Sequence, residues 1–151
     1  KQPDMFDFYD GGGIDFACLG AAEIDSHGNV NVSRFAGKVP GPGGFINITQ
    51  GAKNVCFMGT FTAGKSEIII ENGKVSIIKD GPHIKFKKDV NHITFSGENS
   101  LDKGRQNILY ITERAVFRLM PEGVTLMEIA PGVDLQRDIL DKMEFTPVNI
   151  A

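Results

Sequence analysis

Pro40-Gly41-Pro42-Gly43-Gly44-Phe45-Ile46-Asn47-Ile48-Thr49-Gln50-Gly51-Ala52-Lys53-Asn54-Val55-Cys56-Phe57-Met58 opens as a glycine-proline loop and ends as an apolar run. The spacing predicts about two turns of helix over 45–53 and a strand over 54–61. The apolar run 14–22, upstream of the loop, reads as a buried strand. Strand, glycine-rich loop, helix and strand make a βαβ-like unit, so the chain is expected to be mixed α/β.

Towards the N-terminus, a short helix over 5–10 is stopped by Gly11-Gly12-Gly13, because glycine takes the left-handed cap conformation without a side-chain penalty. Asp25-Ser26-His27-Gly28-Asn29 is dense in turn formers and lies between 22–24 and 30–32, which suits a β-hairpin. Towards the C-terminus, 68–70 and 75–78 face each other across Asn72-Gly73, a strong hairpin signal. A third strand over 84–95 is expected to complete that antiparallel patch. Runs 108–112, 115–120 and 124–129 read as strands, the last two joined by Pro121-Glu122-Gly123. Over 134–143, Leu135, Ile139, Leu140 and Met143 recur at helical spacing behind Asp134 as N-cap. The order of the strands does not follow from this pattern.

With 151 residues, 41% of them hydrophobic, the chain has the size and apolar content of one globular domain. Its 16 basic and 19 acidic residues are intermixed, for a net charge of -3. No Lys/Arg stripe follows a phosphate backbone, so nucleic acid is not an expected partner. Apolar stretches are only a few residues long, so no membrane association is expected, and the reading is a soluble, cytoplasmic protein. Cys18 and Cys56 stand singly in apolar runs and are expected to be small buried thiols. Lys1-Gln2-Pro3 lacks an initiator Met and is followed at once by apolar and aromatic residues, as in a chain truncated or processed at its N-terminus.

Gly41-Pro42-Gly43-Gly44-Phe45, heading a helix, can turn backbone N–H groups toward an anion or a developing oxyanion, although such loops also serve simply as turns. Gly59-Thr60-Phe61-Thr62-Ala63-Gly64-Lys65-Ser66 is a literal Walker A string. A phosphate loop needs a helix after it, however, and Glu67-Ile68-Ile69-Ile70 before Asn-Gly is hairpin sequence. Glu71, beside that turn and near Lys74, reads as solvated charge. His27, His83 and His92 lack zinc-ligand spacing, so no metal site is expected. Ser33, His27 and Asp25 can be assembled into a triad on paper, but no nucleophile elbow supports one.

Six segments taken together resemble family I coenzyme A transferases, most closely the single-chain acetate or propionate type. They are Phe6-Asp7-Phe8-Tyr9-Asp10-Gly11-Gly12-Gly13, Gly28-Asn29-Val30-Asn31-Val32-Ser33, Gly41-Pro42-Gly43-Gly44-Phe45-Ile46-Asn47, Gly59-Thr60-Phe61-Thr62-Ala63-Gly64, Ile111-Thr112-Glu113-Arg114-Ala115-Val116-Phe117 and Leu126-Met127-Glu128-Ile129-Ala130-Pro131-Gly132. Their order and spacing agree with the family, and the likeness covers nearly the whole chain. Related subunits often carry Ala-Met-Asp where this chain has Phe45-Ile46-Asn47.

The resemblance implies an open, mainly parallel α/β sheet with flanking helices and an antiparallel hairpin region, residues 1–151 being the C-terminal, β-subunit-like part. It also implies ping-pong transfer of CoA between an acyl-CoA and a carboxylic acid through a glutamyl-CoA thioester. The Gly44 N–H would stabilise the oxyanion, worth on the order of 3 kcal/mol, with Gly43 and Phe45 as the adjoining wall. Gly20, Ala21 and Thr60 would lie on the substrate and CoA side. The family's glutamate stands in Glu-x-Gly-x-x-Gly, upstream of Phe6. Glu71-Asn72-Gly73-Lys74-Val75-Ser76 lies downstream and lacks the last glycine, so Glu71 is rejected and the nucleophile is expected before Lys1, on an N-terminal portion or companion chain. CoA is then a substrate, no cofactor is permanently bound, and a homo-oligomer in short-chain fatty acid, ketone body or keto acid metabolism is expected. The rival expectation is a non-catalytic CoA-binding or assembly module.

Overall fold

The computed structural model describes residues 1–104 and 106–148. Its elements are α1 (Gln2–Asp10), β1 (Phe16–Gly20), β2 (Glu23–Asp25), β3 (Val30–Asn31), α2 (Phe45–Gly51), β4 (Asn54–Met58), β5 (Thr62–Ala63), β6 (Glu67–Glu71), β7 (Lys74–Lys79), β8 (His83–Ile84), β9 (Phe86–Lys87), α3 (Gly97–Lys103), β10 (Asn107–Ile111), β11 (Ala115–Met120) and β12 (Gly123–Ile129). The main sheet has the order β1-β4-β10-β11-β12. β4 pairs in parallel with β1 and with β10, while β11 and β12 continue the sheet antiparallel.

The expected α/β class therefore holds, with parallel pairing confined to the half of the sheet that the βαβ unit builds. β4 is its axis, since Val55, Cys56 and Phe57 are all buried in sequence. Consecutive burial is what a strand covered on both faces of the sheet shows. Phe57 gathers Phe45, Phe95 and Tyr110 at centroid distances of 5.8, 5.1 and 5.6 Å. A second aromatic group joins Phe61, Phe86 and Phe117, with Phe61 and Phe86 4.8 Å apart. No helix among the described residues is long and apolar enough to cross a membrane.

The hairpins at 25–29 and at Asn72-Gly73 form as expected, with Asn72 and Gly73 both at positive φ. The third strand over 84–95 does not join the second hairpin. It breaks into β8, antiparallel to β5, and β9, parallel to β2. Phe86 and Phe95 are both driven into the core, at 0% and 5% exposure, and the polar stretch between them turns back so that Val30 and Phe95 exchange backbone hydrogen bonds. α3 was not expected from periodicity, having few apolar residues. Its local signals are Ser96, whose hydroxyl accepts the Asn99 N–H at 3.2 Å, and Gly104 in the left-handed region.

The helix expected over 134–143 is one π-type turn (Leu135–Ile139) followed by a 3₁₀ turn (Leu140–Lys142). Asp134 does cap it, accepting the Arg137 N–H at 2.8 Å. Arg114 Nη1 donates to the Asp138 carbonyl at 3.0 Å, near the junction of the two turns. Cys56 is buried as expected, and burial pushes its thiol pKa up. Cys18 is instead exposed, because it lies in register with Cys56 on the edge strand β1.

Gly28 joins the first hairpin to the sheet: its carbonyl accepts the buried Tyr110 hydroxyl at 2.6 Å, and its φ is +75°. A Cβ there would stand 2.6 Å from both Leu119 Cδ1 and Tyr110 Oη. Gly28→Ala is accordingly expected to cost about 1–3 kcal/mol, as overpacking does, read as a lower urea midpoint at unchanged slope.

Candidate functional site

α2 ends at Gly51, just before β4 begins at Asn54, so it runs back across the sheet and its start points to the strands' carboxyl ends. Phe45, its first residue, stacks on Phe57, the last residue but one of β4. The Gly43-Gly44 loop thus lies level with Met58 and Gly59. Gly20 is in register with Met58, as is Ile111, so β1, β4 and β10 finish together. Ligands bind at this end of open α/β sheets.

Pro42 O accepts the Phe45 N–H at 3.0 Å, which closes the loop into a turn, while the Gly43 and Gly44 amides donate to no acceptor among the described residues. Gly43 is exposed and has a φ of +53°. Gly44 rests on Phe6, whose Cζ is 3.3 Å from the position a Cβ would take. Asn47 donates to the Asp10 carboxylate at 2.9 Å, tying α2 to α1. An Asp at this position would repel Asp10, so the departure from Ala-Met-Asp has a local cause.

Phe45 needs a correction as a ligand-facing wall, since its ring is 7% exposed and belongs to the core. Gly20 is exposed, with open space where its Cβ would be, and Ala21 is half-buried beside it. Thr60 is exposed, and its hydroxyl donates to Thr62 O at 2.7 Å, which shapes the turn after β4.

Buried polar groups brace the approach to the loop. Asn31 Nδ2 donates at 2.7 Å to Glu23 Oε2 and to Arg34 O, and its Oδ1 accepts the amides of Ser33 and Arg34. Glu23 also accepts from Asn91. Each interior polar atom is thereby paired, as burial demands.

The other candidates dissolve in the geometry. After Ser66 the chain enters β6, so the Walker string has no helix to aim at phosphate. Glu71 is exposed and paired with Lys74 across the hairpin tip. Asp25 accepts the backbone amides of His27 and Asn29, and Ser33 Oγ meets Thr94 Oγ1 at 2.6 Å, so no triad forms. No group of three or more His, Cys, Asp or Glu suited to a metal occurs among the described residues. Glu113 sits at this end of the sheet, yet its oxygens are taken by Phe61 N–H and Arg114 Nε, both at 2.9 Å. The site presents two amides without an acceptor among the described residues, and none of these candidates supplies a free carboxylate nucleophile.

No protein-family model matches the chain. It is 54% identical over 144 residues to the acetate CoA-transferase YdiF of Escherichia coli K12, and 53% identical over 148 residues to the caffeate CoA-transferase of Acetobacterium woodii. Each alignment covers 95% of this chain but only 27% and 28% of those proteins, so the chain spans about a quarter of their length. It is 30% identical to the acetate CoA-transferase subunit beta of Haemophilus influenzae, over 83% of this chain and 47% of that subunit. The crystal structure of apo YdiF from Escherichia coli O157:H7 matches with a TM-score of 0.94 at 53% identity, over 97% of this chain and 28% of that one. YdiF has also been crystallised as a thioester complex with CoA. The fold described above is thus that of about a quarter of the YdiF chain.

Proposed function

We propose that this chain, homologous to CoA-transferases over 95% of its length, is the β-subunit-like, C-terminal part of an enzyme that moves CoA between a short-chain acyl-CoA and a free carboxylate. The supporting observation is the Gly43-Gly44 turn at the carboxyl ends of three parallel strands, whose amides have no acceptor among the described residues.

A glutamate carried before Lys1, on the same polypeptide or a companion, attacks the thioester carbonyl. The tetrahedral oxyanion is held by the Gly44 N–H, CoA thiolate leaves, and an acyl-glutamyl anhydride remains. The thiolate then attacks the glutamyl carbonyl, releasing the first carboxylate and leaving glutamyl-CoA. An acceptor carboxylate repeats the sequence in reverse and departs as the new acyl-CoA. Amides locked in a turn suit this work, because they need not reorganise as charge develops. Gly20, Ala21 and Thr60 line the edge on which acyl-CoA lies, and CoA is bound as substrate.

The division of labour predicts that this chain alone moves no CoA from acetyl-CoA to propionate, whereas adding the portion that carries Glu-x-Gly-x-x-Gly restores transfer. A coupled acetyl-CoA assay with each component omitted in turn reads this directly. Turnover by this chain alone would contradict the missing nucleophile, and CoA binding without turnover in the combined sample would favour a non-catalytic module.

A further inference from the structure

Lys85 joins β8 to β9 and is the one buried lysine among the described residues, 7% exposed. Its carbonyl accepts the Ile24 N–H at 2.9 Å, which fixes its backbone to β2. No fully buried side-chain nitrogen or oxygen among the described residues lacks a hydrogen-bond partner, so the stem of Lys85 is packed away while its ammonium is not wholly closed off from water. Lys85 enters no ion pair among the described residues. Burial pushes its pKa down, and Glu113 only partly opposes that.

Glu113 has its oxygens engaged by Phe61 N–H and Arg114 Nε. The charges around it already balance without Lys85: Arg114 pairs with Glu113 and Asp80, and Lys142 reaches Asp80 at 3.2 Å. Lys85 thus feels the Glu113 charge without forming an ion pair with it. Its Nζ stands 2.9 Å from the position of a Cβ on Gly59, so the ammonium fills the space that any other residue's side chain would occupy. Gly59 is itself exposed and still pairs with β10, its N–H reaching Ile111 O at 3.2 Å. Strand alternation puts that space on the face of Val55 and Phe57, the face α2 covers. It is also level with the Gly43-Gly44 loop.

We propose that Lys85 binds the free carboxylic acid substrate, its ammonium holding the carboxylate at the end of β4 beside the Gly43-Gly44 loop, an inference that rests on the CoA-transfer reading. The acceptor is an anion that must shed water beside other carboxyl groups, and a lysine already partly desolvated interacts with it more strongly than one in bulk water. Gly59 admits the ammonium, and the buried stem of Lys85 aims it.

The test uses Lys85→Met, which keeps the stem and drops the charge, and Lys85→Arg, which keeps a cation, in the enzyme combined with its glutamate-bearing portion. With Lys85→Met the KM for propionate as acceptor is expected to rise about ten- to a hundredfold, the worth of a hydrogen bond to a charged group, with the KM for acetyl-CoA unchanged and partial recovery in Lys85→Arg. Equal changes in both KM values, or none, overturn the proposal. If the wild-type enzyme transfers no CoA, the function proposed above fails, and Lys85 is then judged by binding. The same measurement decides if Lys85→Met does not fold. The ¹⁵N resonance of the Lys85 ammonium is followed in wild-type protein through a sodium acetate titration against sodium chloride. A saturable shift specific to acetate supports the inference, and its absence overturns it.

Discussion

Gly44→Pro is expected to lower kcat by about 100- to 1,000-fold, the usual loss on removing one oxyanion donor, while leaving the protein folded. Gly44 has a φ of -84°, near the value proline imposes, and its N–H donates to nothing within the described residues. The substitution therefore deletes a donor without breaking a hydrogen bond. Proline restricts the residue before it, but that residue is Gly43, which tolerates the restriction best. Gly44→Ala is the control. It places a Cβ at the same 3.3 Å from Phe6 Cζ and keeps the N–H. Steady-state turnover of acetyl-CoA in the combined enzyme, with unfolding curves for each variant, separates the outcomes. Equal losses in both variants would assign the effect to the Phe6 contact and remove Gly44 from the oxyanion role.

Arg114→Leu is expected to destabilise the chain by about 3–5 kcal/mol, the cost of breaking a buried ion pair from one side. Arg114 is fully buried and holds three parts of the molecule at once: Glu113 through Nε at 2.9 Å, the Asp138 carbonyl through Nη1 at 3.0 Å, and Asp80 through Nη2. Its guanidinium also lies 5.1 Å from the centroid of Phe61. Removing it orphans Glu113, the carboxylate that fixes the Phe61 amide just past Gly59 and Thr60. The loss should appear as a reduced urea midpoint, and Arg114→Lys should recover little of it, since an ammonium cannot reproduce the fork of donors. A shift of less than about 1 kcal/mol would mean that the cluster is no better than a surface ion pair.

Signals carried by neighbouring residues are legible in the sequence. Asn72-Gly73 specifies a tight turn because both positions need positive φ, and the hairpin there forms as expected. The βαβ unit around Gly41 to Met58 was readable because a glycine loop, a short helix and a consecutive apolar strand each leave a local mark. The Gly43-Gly44 turn was found in the same way, and by its likeness to a family. The second half of the sheet was also visible, since β11 alternates buried and half-buried residues along its length.

Choices of partner could not be read from the chain. Residues 84–95 have strand composition, but whether they extend a hairpin or split between β5 and β2 depends on which core receives Phe86. The turn at 135–142 has helical periodicity, and nothing in it announces that a guanidinium from residue 114 donates to one of its carbonyls. Cys18 and Cys56 have similar surroundings in sequence and opposite exposure, because one lies on an edge strand and the other at the centre. Phe45 follows the glycine loop, a position open both to a ligand and to the core, and stacking on Phe57 puts it in the core. Lys85 looks like any lysine in a polar run, and no local signal distinguishes it. The sequence by itself determined the elements, the glycine turn and the family likeness, because those rest on backbone preference and spacing. Tertiary structure alone decided which side chains are buried together, and so set the Lys85 ammonium beside Gly59 with no ion pair among the described residues, because burial and pairing are properties of residues far apart in the chain.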